Sequence, residues 1–281
     1  MASLVQLSDL HFGAHDEEIV RAVEQEVDAA RPDLVIISGD FTQRARTEQF
    51  QRAGQFLERL RDAGHEVLAV PGNHDVPLYD VLRRFLSPLS RYKKFIDGTL
   101  CPWHQLPGAS VLGLNTARSL TIKDGKVSRE QIDFVREHFD AAPKGDLKVL
   151  VTHHPLFALP VDDAGILGKA IGRQELALDV VNDLGIDLLL AGHNHRASTH
   201  YARDLVTRAG GALVIQAGTA TSVRTREEEQ SFNILEVSAH EVTLGLKRWT
   251  GSRFEAAEPV RFVEEEGGWS HAQVLKDPAE A

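Results

Sequence analysis

Short apolar runs alternate with amphipathic segments through the first two-thirds of the chain, and no other feature constrains the fold as much. LVQLS at 4–8, LVIIS at 34–38, VLAV at 67–70, SVLGLN at 110–115, KVLVT at 148–152 and DLLLA at 187–191 read as strands. Most lack the polar–apolar alternation of a half-exposed strand, so they read as covered on both faces. Between them, residues 16–31 put Ile19, Val20, Val23, Val27 and Ala30 on one helical face. Residues 48–64 do the same with Phe50, Ala53, Leu57 and Leu60, and end at Gly64, a C-cap residue. Residues 79–96 and 174–184 read as helical, and Ser128 with Gln131 forms a capping box for a helix to about 140. After residue 200, the runs at 212–218, 231–238 and 241–249 succeed one another without helices and read as an antiparallel meander. Repeated βα units and then successive strands predict an α/β fold, with a mostly parallel sheet packed on a second, mixed or antiparallel sheet. Residues 1–263 are expected to form one domain and 264–281 an acidic C-terminal tail.

Composition narrows the function classes. A formal net charge of −10 over 281 residues opposes a protein that gains affinity by coating a nucleic-acid backbone. The single cysteine, Cys101, reads as packed beside Pro102 and Trp103 and allows no internal disulfide. The opening MASLVQLSDLHF lacks a basic start, and no apolar stretch approaches the ~20 residues of a membrane span. The cytoplasm, with no membrane partner, is the expected location.

The residues just past the strands carry the chemistry. Asp9-Leu10-His11 stands after the first strand, Gly39-Asp40 after the second, Gly72-Asn73-His74-Asp75 after the third, His153-His154 after the KVLVT run, and Gly192-His193-Asn194-His195 after the DLLLA run. Loops converge at the carboxyl edge of a parallel sheet, so five strand ends bearing Asp, His or Asn describe one site. Carboxylate and imidazole donors suit divalent manganese, iron or zinc. In an extended segment, residues i and i+2 point the same way, which would bring Asp9 with His11, and His193 with His195, to one ion. Asp40 can bridge two ions ~3.5–4 Å apart. Glycines 39, 72 and 192 would let the backbone approach.

The pattern D-x-H, G-D, G-N-H-D, H and G-H-x-H, spanning Asp9 to His195, resembles that of the calcineurin-like metallophosphoesterases. SDLHFG, GDFTQ, PGNHD and HHP are closest to bacterial phosphodiesterases of the cyclic-nucleotide and glycerophosphodiester type. The resemblance implies a four-layer αββα sandwich. It implies two ions, one held by Asp9, His11, Asp40 and His195, the other by Asp40, Asn73, His153 and His193. Adjacent side chains point apart, so one of His153 and His154 is the ligand; the resemblance favours His153. His74 would face the scissile phosphate as acid or charge stabiliser, with Asp75 holding its other ring nitrogen or, alternatively, capping the next segment.

The expected activity is hydrolysis of a small-molecule phosphodiester by a metal-activated hydroxide. A monoesterase or a nucleotide pyrophosphate hydrolase on the same site, a nuclease and a non-catalytic scaffold are the competing readings. Arg44 and Arg46, just beyond Asp40, could touch a substrate phosphate but read first as solvated charges at a helix entry, and Arg224 and Arg226 read as salt-linked to Glu227–Glu229. Asn115-Thr116 could equally be an ordinary turn or face the cleft.

Overall fold

The computed structural model describes residues 1–160, 170–206, 208–223, 228–265 and 268–272. In chain order the elements are β1 (Ala2–Leu7), α1 (Glu17–Ala30), β2 (Leu34–Ile37), α2 (Thr47–Asp62), β3 (Val67–Ala69), α3 (Val81–Leu86), α4 (Ser90–Phe95), β4 (Trp103–Leu106) and β5 (Ala109–Leu114). Next come α5 (Arg129–Asp140), β6 (Leu147–Thr152), α6 (Gln174–Leu184), β7 (Leu188–Ala191), β8 (Ser198–Tyr201), α7 (Ala202–Leu205) and β9 (Leu213–Gln216). The chain closes with β10 (Ser231–Ser238), β11 (Glu241–Trp249), β12 (Phe254–Ala256), β13 (Val260–Glu265) and β14 (Gly268–His271).

Two sheets form. One runs β14-β13-β11-β10-β1-β2-β3, with β12 paired to β11; the other runs β4-β5-β6-β7-β9-β8. The runs without alternation are explained by what lies on either side of them. Leu4, Leu34 and Ile36 point into the space between the sheets, where they meet Val149, Val151, Leu188 and Leu190 of the second sheet. Their neighbours Val5, Val35 and Ile37 point outward beneath α1 and α2. On the far side, Leu150 and Leu189 pack beneath α5 and α6. Helix, sheet, sheet and helix therefore stack as the expected four-layer αββα sandwich. Each fully buried Val, Leu or Ile contributes roughly 1.5–3 kcal/mol relative to exposure.

The helix ends obey their sequence signals. Ser128 accepts from the Gln131 N–H, and the Gln131 side chain accepts from the Ser128 N–H. At the end of α2, Gly64 takes φ +93°, and the Gly64 and His65 N–H groups return to the Arg61 and Leu60 carbonyls. This double return satisfies carbonyls that the helix leaves open.

As expected, one sheet is mostly parallel and the other mixed, and the mixed one holds a parallel set of its own. β1, β2 and β3 are parallel in the first. β5, β6, β7 and β9 are parallel in the second. The run at 212–218, expected in an antiparallel meander with its successors, instead lies parallel to β7, and the antiparallel succession starts at β10 and runs through β11, β13 and β14. Pro88 lies between α3 and α4, so residues 79–96 form two short helices where the sequence suggests one. The acidic segment from 264 is not wholly a tail: β13 includes Glu264 and Glu265, and β14 pairs with it through His271. Arg224, Arg226 and Glu227 lie outside the described residues, as do 273–281. Among the described residues, no helix is long and apolar enough to cross a membrane.

Candidate metal centre and its cleft

Every candidate residue stands just past a strand's carboxyl end. Asp9 and His11 come after β1, Asp40 after β2, a single turn Asn73–Asp75 after β3, His153 and His154 after β6, and His193 and His195 after β7. The site is thus shared between the edges of both sheets.

Convergence does not come from extended backbone. Asp9, His11, Asp40, His193 and His195 have φ of +53°, +49°, +54°, +77° and +58°, all left-handed. The expected i, i+2 alignment of Asp9 with His11, and of His193 with His195, is therefore replaced by successive left-handed turns. Such residues cost roughly 1–3 kcal/mol each, and the surrounding contacts must hold them there. The Asp9 N–H bonds to Gly39 O at 3.1 Å, and the His11 N–H to Asp40 O at 2.9 Å. Thr219 and Thr221 hydroxyls donate to the Asp9 and Leu10 carbonyls at 2.8 and 2.7 Å. The His193 N–H donates to Asp9 Oδ2 at 3.0 Å.

Two donor groups result. In the first, Asp9, His11, Asp40 and His195 are all buried. His11 Nε2 lies 3.2 Å from His195 Nε2, 3.6 Å from Asp9 Oδ1 and 3.7 Å from Asp40 Oδ2. His195 Nε2 lies 3.2 Å from Asp9 Oδ1, an oxygen that is buried without a hydrogen-bond donor among the described residues. In the second, His153 Nε2 stands 3.1 Å from Asn73 Oδ1, 3.3 Å from His193 Nδ1 and 3.4 Å from Asp40 Oδ2. His193 Nδ1 is 3.0 Å from Asn73 Oδ1. Ligands ~2.0–2.2 Å from a tetrahedral ion are themselves ~3.3–3.6 Å apart, so these spacings fit donors arranged around a cation better than donors satisfying one another.

Asp40 Oδ2 is common to both groups, while Oδ1 accepts the His74 backbone N–H at 2.8 Å. The donors are aimed by groups behind them. His153 Nδ1 donates to Ser38 O at 2.8 Å, and the Asn73 amide nitrogen donates to Ile122 O at 3.3 Å. Gly39 has φ +94°, and a Cβ there would strike the His153 ring; at Gly72 a Cβ would strike Asp40. These two glycines make room for donor side chains, which differs from the close backbone approach to ions suggested by the sequence.

The doubled histidine separates clearly. His153 faces Asp40, Asn73 and His193. His154 lies behind, with Nδ1 2.8 Å from Thr116 Oγ1 and its ring packed on Gly125. It remains near enough to share a three-histidine group with His153 and His193. Thr116 therefore has a buried polar role, and Asn115 accepts the Ala117 N–H in a turn.

Electrostatics track the geometry. Burial pushes the Asp9 and Asp40 carboxyls up, but His195 and His11 around Asp9, and His153 beside Asp40, override it and hold both well below the usual range. Burial and then His153 lower His193 to about 3, keeping it neutral as a ligand requires. Burial likewise lowers His154.

The expected pairing of Asp75 with His74 does not occur. His74 Nδ1 faces Gln43 O at 2.9 Å. Asp75 points the other way and accepts the Phe41, Thr42 and Gly72 N–H groups at 3.2, 2.9 and 2.9 Å, together with the Thr42 hydroxyl. Asp75 is a brace between the loops after β2 and β3. Burial, then the Asp40 charge, raises it to about 7. Sequence reasoning misses the Gln43 carbonyl because every residue carries one and nothing in the letters says where it points.

Asp40, Asn73, His74, His193 and His195 open onto a cleft of about 270 Å³. Arg44, Arg84 and Lys123 also line it. Of the two readings of Arg44, helix-entry charge or substrate contact, its place on the cleft favours the second.

A two-sheet sandwich with adjoining Asp/His/Asn donor groups at its strand ends defines a metallophosphoesterase. The chain belongs to the calcineurin-like phosphoesterase family, whose sequence profile matches residues 2–197. It is 26% identical over 299 aligned positions to a probable cyclic nucleotide phosphodiesterase of Rhodococcus erythropolis, covering 94% of this chain and 93% of that one. It is 23% identical over 270 positions to the 3′,5′-cyclic adenosine monophosphate phosphodiesterase CpdA of Haemophilus influenzae, covering 93% and 89%. A solved dimetal phosphatase from Danio rerio shares the fold, with a TM-score of 0.64 at 13% identity over 92% of this chain and 98% of that one.

Proposed function

We propose that the protein hydrolyses small phosphodiesters at a two-metal centre. Asp9, His11, Asp40 and His195 would hold one divalent ion, and Asp40, Asn73, His153 and His193 the other. The observation that carries this reading is the single Asp40 oxygen lying 3.7 Å from His11 Nε2 and 3.4 Å from His153 Nε2, between two otherwise separate donor groups. Imidazole, carboxylate and amide oxygen suit manganese, iron or zinc. When bound, such a pair supplies a water of lowered pKa as nucleophile and neutralises charge on phosphoryl oxygens.

The chain's own residues supply the rest. His74 commits Nδ1 as a donor to the Gln43 carbonyl, which leaves Nε2 for the substrate. A proton on Nε2 can stabilise the phosphoryl charge or pass to the departing oxygen. Burial lowers the His74 pKa, which makes its cation a stronger acid. Asp75 acts only by bracing the turn that carries Asn73 and His74. His154 positions His193 and the loop around Thr116.

A diester is preferred because the relatives that cover nearly the whole chain are named as cyclic nucleotide phosphodiesterases. The cleft is of small-molecule size, and a formal net charge of −10 opposes binding along a nucleic-acid backbone. The test compares bis(p-nitrophenyl) phosphate with p-nitrophenyl phosphate on manganese-loaded protein. Faster diester turnover is expected; turnover of the monoester alone would replace this reading with a phosphomonoesterase.

A further inference from the structure

The cleft carries charge that the metal centre does not explain. Arg84 of α3 is only 7% exposed, yet among the described residues it has no acidic partner. Its guanidinium donates to Pro77 O at 2.9 Å and to Thr121 O at 2.6 Å. Arginine is rarely this buried unless paired, because an uncompensated buried charge is costly. Arg44 and Lys123 line the same cleft. Arg44 bonds the Tyr79 hydroxyl at 2.8 Å, and among the described residues no carboxylate lies within ion-pair distance of any of the three. These three cations border one cleft of a chain that is acidic overall, with 41 acidic and 31 basic side chains.

We infer that these cleft cations form a subsite for a second phosphate, carried by the part of the substrate beyond the scissile diester. The inference rests on the phosphodiesterase reading of the adjoining centre. The diester's single negative charge is already met by two divalent ions and His74. Among the described residues, Asp9 and Asp40 have only histidines as ion-pair partners, so neither donor carboxylate engages a cleft cation. Two carbonyls occupy part of the Arg84 fork, which leaves further N–H groups for a ligand. A phosphomonoester, with a charge of about −1.5 to −2, matches three cations better than a carboxylate does. Arginine's planar donors fit phosphate oxygens in pairs. Leu78 and Ile122 on the same cleft offer apolar surface to the carbon skeleton joining the two groups.

Calorimetric titration of the manganese-loaded protein with thymidine 5′-phosphate and thymidine 3′,5′-bisphosphate tests this. The bisphosphate should bind roughly 10- to 100-fold more tightly, the value of one or two charge-assisted hydrogen bonds. In Arg84→Gln that ratio should fall roughly tenfold. In Lys123→Ala, an exposed position, it should fall roughly two- to fivefold. Equal affinities in the wild type, or a ratio unchanged in both variants, would overturn the proposal. So would an Arg84→Gln protein of lower Tm in which both nucleotides lose affinity by the same factor, since Arg84 would then only clamp two loops. A failed phosphodiesterase reading is distinguishable: the same preparation would leave bis(p-nitrophenyl) phosphate intact while still preferring the bisphosphate.

Discussion

The His74 backbone N–H donates to Asp40 Oδ1 at 2.8 Å, leaving Oδ2 as the one atom that faces both donor groups. Bridging and chemistry are thereby coupled through a single turn, yet the bond uses the backbone of His74 and not its ring. His74→Ala should therefore keep its full metal content while the chemical step slows by roughly 10²–10⁴. Elemental analysis alongside single-turnover kinetics on substituted aryl diesters checks both halves. A loss that grows with leaving-group pKa assigns Nε2 as the acid; a uniform loss assigns it to charge stabilisation. Wild-type rates throughout would remove His74 from the mechanism.

The two adjacent histidines should differ sharply. His153→Ala deletes a donor lying within 3.4 Å of Asp40, Asn73 and His193, so one ion should be lost. His154→Ala should keep both ions, with reduced stability from the space left beside Gly125. Metal content after dialysis separates the two, and the reverse pattern would move the ligand to His154.

Asp75 should behave as a structural group. Asp75→Ala leaves three buried backbone N–H donors unpaired and should cost about 2–4 kcal/mol, read as a lower denaturant midpoint. Its leaving-group dependence on aryl diesters should match that of the wild type. A changed dependence at unchanged stability would restore the expected partnership with His74.

Asp75 also marks where the letters run out. Asp9, His11, Asp40, Asn73, His153, His193 and His195 stand out in the sequence because strand ends are visible and Asp, His and Asn there have few other reasons to cluster. The long helices α1, α2, α5 and α6 are equally plain, since periodicity and caps are local signals. The direction of the Asp75 carboxylate is not visible, because it depends on which backbone N–H groups a neighbouring loop presents. The left-handed turns at the donors are hidden too: aspartate and histidine take positive φ more often than most residues, but neither requires it. The placement of β9 beside β7 is decided by packing across the chain, and half-exposed edge strands such as β4 carry too weak a pattern. Arg84 is hidden because an arginine in VLRRFL reads as solvated until the fold buries it.

Far from the centre, Asp187 gives a pH-dependent stability. Burial raises its folded-state pKa to about 6, against roughly 3.9 unfolded, although it accepts the Lys148 N–H at 2.8 Å. The folded state thus holds the proton more tightly, and this group's contribution to stability falls as pH rises from about 4 to about 6. Asp187→Asn keeps an acceptor and removes the charge. It should raise Tm by roughly 2–5 °C at pH 7 and lose that advantage below pH ~4. Thermal melts at both pH values check the sign; an equal shift at both would show that the charge is not responsible.

The central claim is that one Asp40 oxygen joins two metal sites, and metal stoichiometry tests it most directly. Elemental analysis of manganese- or zinc-loaded protein after removal of free ions should approach two equivalents per chain, with Asp40→Asn retaining one or none. A plateau at one equivalent in fully active wild-type protein would contradict the account.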